Sequence, residues 1–508
     1  MAQDTSLLAQ PAVQLRRLMG ARQLSPVELM DACIARIEAL NPFVNAICAT
    51  DFDRARASAR QAEAAIMRGD ALGLLHGLPL GVKDLQDTQG LLTTYGNVGF
   101  RAHVPARDNS LVARLKSAGA IVTAKTNVPD MGAGANTRNP VWGATGNPFN
   151  PALNAGGSSG GSAAALACDM LPLATGSDTG GSLRIPAALC GVVGLRPSPG
   201  LVGNDARPLG WSVISVLGPM GRTVDDVAFM LAASQGLEAD DALSYAPGPA
   251  PWPLPEADLA SLSIGYTEDF GVCPVAPEVR QAFRERVAAL RPLVRACEPV
   301  TLATGESDRV FDILRAESFL AAYGDTWRNA PETLGPNVRA NVEMAAAITL
   351  ADRAWAHLEQ TRIAKSFAQA MRQHDVLLAP VTPMTPFPWT QLYADTIDGT
   401  PARNYYHWLG LTYVVTLATH PALSLPCGTD AHGMPFGLQM VGRLRGDTAL
   451  LAAARALEQA WAGQAALRRP VPDVAALAAS RVDLKTPVTH PPVLGAQASA
   501  SGGAATAV

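Results

Sequence analysis

The run "NAGGSSGGSAAALACDMLPLATGSDTGGSLRIPAALCGVVGLRPSPG", Asn154 to Gly200, decides how this chain is read. Two glycine–serine clusters, "GGSSGGS" and "SDTGGS", are separated by an alanine-rich run and an apolar run, with no histidine between them. A flexible linker stays polar, whereas the first cluster runs straight into Ala163, Ala164, Ala165, Leu166 and Ala167, a segment built to pack as a helix. A phosphate cradle calls for GxxxxGK[ST] or GxGxxG, and neither is present. Gly156-Gly157-Ser158-Ser159-Gly160 fits GxSxG, the nucleophile elbow of a hydrolase that places an acid and a histidine downstream. The downstream histidines (His357, His374, His407, His420, His432 and His490) stand in no catalytic setting, and the elbow leaves the second cluster unexplained.

Working outward, short apolar runs alternate with helical ones from about Leu72. A helix from Ser110 to about Ser117 feeds a strand over 120–124, and "GSAAALACDMLPLATGSD" repeats the pattern. This alternation predicts an α/β protein whose sheet carries helices on both faces. Upstream, Ser25, Pro26 and Glu28 form a capping box that opens a helix with Val27, Met30, Cys33, Ile34, Ile37 and Leu40 on one face. A second helix is expected from Phe52 to Met67. Downstream, strands are expected around Ile264 and within "DVLLAPV", "HPALSLPCG" and "PFGLQMVG". Helices are expected from Pro277 and, capped by Asp447, over Leu450 to Trp461. The expected organisation is a helical segment over 1–70 that packs on the core and a single catalytic domain over 71–485. Within that domain the catalytic core spans 71–236, a variable helical region about 260–375, and a return to the core 376–485. The tail 486–508 is too polar and small-residue-rich to bury anything and is expected to be disordered.

The 508 residues carry a formal net charge of −4, which argues against nucleic acid or an anionic membrane surface as partner. Seven cysteines without a CxxC pair fit free thiols in a reducing compartment. With no secretory signal and no apolar run long enough for a bilayer, the expected location is the cytoplasm.

Lys83 ends an apolar run of Leu78, Leu80 and Val82 in "GVKD", where burial would hold it neutral. Together with the two clusters it resembles the amidase signature family. The likeness extends to "AKTNVPDMG", "WGATGNPFNP", "HPALSLPCG" and "GMPFGLQMVG", and the 24 residues from Ser158 to Ser182 match the family's spacing. The resemblance implies the amidase signature fold, with a mixed, mostly parallel twisted central sheet. It also implies Ser182 as nucleophile, Ser158 as a bridging serine after a cis Gly157–Ser158 bond, and Lys83 as base. Such a base must fall from a reference pKa of ~10.4 by more than ~3 units to be neutral near pH 7.

By the same resemblance, the N–H groups of Thr179, Gly180, Gly181 and Ser182 form the oxyanion hole. Asp178 and Arg184 form a supporting ion pair, and Ser159 and Thr175 supply further hydrogen bonds. Met131, Gly132, Ala133 and Gly134 shape the acyl pocket, which is small-residued and uncharged and so favours neutral, bulky substrates. The aromatic group Tyr405, Tyr406, His407 and Trp408 is expected either to line the entrance or to pack as a surface loop. No metal or cofactor is needed. The implied activity is amidase hydrolysis of neutral linear amides, extending to aryl amides, esters and carbamates (urethanes). The partners are then a small-molecule substrate and water, with the chain a monomer or homodimer. One alternative is the glutaminase-type subunit of a tRNA-dependent amidotransferase, opposed by Ile185 where that subunit usually has glutamine. Another is a non-catalytic scaffold, opposed by the presence of all three catalytic positions.

Overall fold

Ser25 opens the first long helix, Pro26–Val44, by accepting the N–H groups of Val27 and Glu28. The structure is a computed structural model and describes residues 5–248 and 252–492. Met30 and Ile34 of that helix pack on Ala55, Ala59 and Ala62 of the helix Phe52–Arg68 and on Ile121 of the sheet. Between the two helices the chain makes a strand that sequence reading did not anticipate, Ile47–Thr50, which pairs antiparallel with Ile121–Thr126. Four residues are too few to show a period of two, and contacts from elsewhere hold them extended: the neighbouring strand and the Asn41 side chain, which bonds both the N–H and the carbonyl of Ile47.

Eleven strands form one sheet. From one edge the order is Ile47–Thr50, Ile121–Thr126, Pro79–Lys83, Leu173–Asp178, Val216–Gly221 and Val193–Arg196. It continues through Ala422–Thr429, Pro435–Val441, Val376–Pro380 and Ser263–Tyr266 to Ala296–Pro299. The sheet is mixed, as expected, but the expected parallel majority is corrected: of its ten pairings, four are parallel and six antiparallel. The parallel pairs cluster where helices cross over, whereas Val216–Gly221 and the return strands Ala422–Thr429 and Pro435–Val441 pair antiparallel with their neighbours.

The helix Gly160–Ala167, GGSAAALA, is buried along its whole length, and its mostly small side chains let it pack at close quarters. Over 302–373 the chain forms three helices, Ser307–Asn329, Pro336–Ala345 and Leu350–Ala370. Asp447 does not cap the last long helix: Gly446 holds that position, and the Asp447 carboxylate accepts the Ser198 N–H and Oγ–H instead. Of the expected tail, residues 493–508 lie outside the described residues, while the N–H groups of Thr489 and His490 donate to the Pro140 carbonyl. Among the described residues no helix is long and apolar enough to cross a membrane.

Candidate active site

Lys83 stands at the end of Pro79–Lys83, whose parallel neighbour Leu173–Asp178 ends beside it. Its side chain is fully buried, and burial lowers its pKa from the ordinary lysine value to about 7, with Asp178 opposing the shift. Three serine hydroxyls surround Nζ: Ser158 at 2.7 Å, Ser159 at 2.8 Å and Ser177 at 2.8 Å. A neutral amine has two N–H donors and one lone pair, so two hydroxyls can accept while the third donates to the nitrogen. That third hydroxyl is the one a base can deprotonate. The Lys83 backbone is fixed from below, its N–H donating to Thr175 Oγ1 at 2.9 Å, and Thr175 in turn donates to Gln86 Oε1.

Ser158 follows the cis Gly157–Ser158 bond and is almost wholly buried. Ser182 is half-buried, and its hydroxyl makes no hydrogen bond among the described residues. The two clusters are joined directly, the Ser159 N–H donating to the Ser182 carbonyl at 3.3 Å. Gly157 lies so close to the Ala135–Asn136 backbone that a Cβ would stand 3.0 Å from the Ala135 carbonyl carbon. The loop Met131–Asn136 therefore packs against the bridging serine. Gly132, at φ +70°, is the member nearest the chemistry, its missing Cβ position 3.7 Å from Ser158 Oγ.

The turn Thr179–Ser182 needs glycine at Gly181, where φ is +127° and a Cβ would collide with Thr412 Oγ1. Of the four N–H groups expected as oxyanion donors, one is engaged elsewhere. The Gly181 N–H is taken by Asp178 Oδ1 at 3.0 Å, leaving the N–H groups of Thr179, Gly180 and Ser182 without partners among the described residues.

Asp178 organises this turn. It accepts the N–H groups of Gly181 and Leu183 and both a bidentate Arg184 contact (3.1 and 2.9 Å) and one from Arg196 (3.3 Å), all fully buried. Burial alone would raise its pKa, but the two guanidinium groups outweigh it and hold the carboxyl well below the usual range. Removing it leaves two buried cations unpaired. Asp178→Ala is therefore expected to lower unfolding stability by about 3–5 kcal/mol in a denaturant titration. A loss under about 1 kcal/mol would show that water replaces the carboxylate.

The structure brings Lys83, Ser158, Ser159 and Thr175 together, joins Ser159 to Ser182 and Asp178 to Arg184, and sets Gly132 beside Ser158, but it keeps the aromatic group apart. Tyr405, Tyr406, His407 and Trp408 are all buried and line neither an entrance nor an exposed loop. The phenols of Tyr405 and Tyr406 are tied to Arg315 and Asp312 of the helix Ser307–Asn329, which covers them. No histidine ring hydrogen-bonds Ser158 or Ser182 among the described residues, so the elbow reading finds no support in the geometry; buried His420, for example, pairs with the Gly442 carbonyl.

Sequence reading missed five contributing residues. Ser177 shares a strand face with Thr175, a period-two signal that was there to read. Arg196 joins Asp178 only because its strand lies two places across the sheet from Leu173–Asp178. Phe319, Tyr323 and Trp327, spaced i, i+4, i+8 on one helix, pack with Met131 and Ala133 as an aromatic wall beside the site.

The amidase family profile matches residues 28–451. The chain is 34% identical over 481 residues to the A-subunit of glutamyl-tRNA(Gln) amidotransferase from Picosynechococcus sp., covering 88% of this chain and 97% of that protein. Among solved structures, a bacterial aryl acylamidase of the amidase signature family superposes with a TM-score of 0.84 at 27% identity, covering 93% of this chain and 99% of the other. The corresponding amidotransferase polypeptide of Thermotoga maritima superposes with a TM-score of 0.74 at 25% identity, covering 93% and 99%. A match over this much of the chain, carried by both sequence and fold, places the protein in the amidase signature family.

Proposed function

We propose that the protein cleaves the carbon–nitrogen bond of amides through an acyl-enzyme on Ser182. The observation that carries this reading is the buried, neutral-poised Lys83 hydrogen-bonded to Ser158. In the first half-reaction the Ser182 hydroxyl adds to the amide carbonyl as its proton passes to Ser158 and the Ser158 proton to Lys83. The free N–H groups of Thr179, Gly180 and Ser182 stabilise the oxyanion. The proton returns through Ser158 to the leaving nitrogen, the C–N bond breaks, and the amine departs. Water then attacks the ester by the same relay and releases the acid. Met131–Gly134 and the Phe319–Tyr323–Trp327 wall hold the acyl body.

Two finer readings share this chemistry. The curated relatives support the second one, the glutaminase-type component of an amidotransferase, in which the amide is that of glutamine and the chain works with partner subunits. Ile185, together with the higher TM-score to the aryl acylamidase, supports a stand-alone amidase, with esters and carbamates as further substrates. A fluorophosphonate probe followed by peptide mapping is expected to place one adduct on Ser182, and no adduct would count against the acyl-enzyme. Turnover of acyl anilides by the chain alone would establish the stand-alone enzyme. Ammonia release from glutamine only after partner subunits are added would establish the other.

A further inference from the structure

The ladder between Pro79–Lys83 and Leu173–Asp178 stops short of the chemistry. The two strands are in parallel register at Leu80–Leu173 and Gly81–Ala174, and no further pair follows. On their other sides both stay paired to the end, Lys83 with Thr126 and Asp178 with Val216. The open stretch is therefore the one that carries Lys83 on one strand and Ser177 and Asp178 on the other.

Side chains bridge this opening. The Lys83 N–H goes to Thr175 Oγ1 at 2.9 Å, and the Thr175 carbonyl is taken by the Ser162 hydroxyl at 2.8 Å. Gln86 closes the rest: its Oε1 accepts the Thr175 hydroxyl at 2.5 Å, and its Nε2 donates to the Gly176 carbonyl at 3.2 Å. Only one orientation of the amide satisfies both partners, because Thr175 has a proton to give and the carbonyl can only accept. Gln86 is 2% exposed, so water does not compete for either bond.

The Gln86 backbone is fixed as well. Its N–H donates to the Lys83 carbonyl at 3.0 Å, closing a turn directly after the lysine. Its carbonyl accepts from Lys125 Nζ, a buried amine on Ile121–Thr126 that also reaches Thr88 Oγ1 at 3.1 Å. Gln86 is in this way tied to all three strands that meet at Lys83, yet it makes no hydrogen bond to Ser158 or Ser182. Whatever it does for the chemistry passes through the strand ends.

We propose that Gln86 is a positioning residue: its amide replaces the missing rungs between the two strands, and so holds Lys83 Nζ against the Ser158, Ser159 and Ser177 hydroxyls and keeps water out of the gap. The inference rests on Lys83 being the base that activates Ser182.

The test follows fluorophosphonate labelling of Ser182 over a pH series, a readout that needs no choice of amide substrate. Gln86→Ala is expected to slow labelling by about 10–100-fold, the scale of two lost hydrogen bonds and a displaced base. Water admitted to the gap relieves the burial that lowers the Lys83 pKa, so the rise in labelling is expected to move from about 7 toward the ordinary lysine range. Thr175→Val keeps the side-chain shape and cuts the same link from the other strand. It is expected to slow labelling as well, and it carries the test if Gln86→Ala does not fold. A wild-type rate in the folded variant, or a slower rate with the rise still at about 7, would overturn the positioning role. No labelling of Ser182 in the wild type would instead overturn the acyl-enzyme reading.

Discussion

Ser182→Ala is expected to abolish amide turnover, a fall of roughly 10⁵-fold or more, because the substitution removes the atom that forms the acyl-enzyme. The fold should survive it: Ser182 is half-buried, its hydroxyl holds no hydrogen bond among the described residues, and its carbonyl keeps the Ser159 N–H. Circular dichroism and an unfolding midpoint unchanged from wild type, alongside lost turnover and lost probe labelling, would complete the result. Ester hydrolysis that persists at the wild-type rate in Ser182→Ala would end the assignment.

Lys83→Ala is expected to cost several orders of magnitude, and more for amides than for activated esters. Amide cleavage needs the leaving nitrogen protonated, whereas a good ester leaving group departs unaided. The pH profile separates a base from a merely structural lysine. Only the neutral amine accepts a proton, and burial brings its pKa to about 7. The kcat/KM for amides should therefore rise as pH increases through about 7 and level off above it, with that rise missing from the residual activity of Lys83→Ala. An unshifted profile would mean that another group titrates. Ser158→Ala breaks the relay between Ser182 and Lys83 and should show the same amide-over-ester bias with Lys83 still present.

The positions of the proposed catalytic residues were legible because their signal is local. Glycine and serine at fixed intervals, and a lysine closing an apolar strand, mark a turn, a helix start and a strand end wherever the chain goes next. The helix Ser110–Ser117 and the cap at Ser25 were legible for the same reason, each resting on contacts within a few residues. Ile47–Thr50 was not legible, since its extended form comes from pairing with Ile121–Thr126 and from the Asn41 side chain clamping Ile47. The Tyr405–Trp408 group was misread because aromatic residues suit a pocket rim and a core equally well, and only the covering helix decides between them.

The sequence by itself determined which atoms the proposed chemistry uses: a nucleophile, a bridge and a base, each carried by a motif too specific to be composition alone. The tertiary structure decided how they are tuned. The apolar run before Lys83 pointed to burial, but how complete that burial is depends on the packed neighbours, and it lowers the Lys83 pKa to about 7. Arg196 reaches Asp178 from two strands away, and with Arg184 it holds the carboxylate that accepts the Gly181 N–H, leaving three N–H groups of the turn for the proposed oxyanion. The placing of Ser307–Asn329 over the Thr179–Ser182 turn sets an aromatic wall beside residues more than a hundred positions away. Desolvation and long-range pairing depend on where the chain returns to, and that is settled only when the sheet closes.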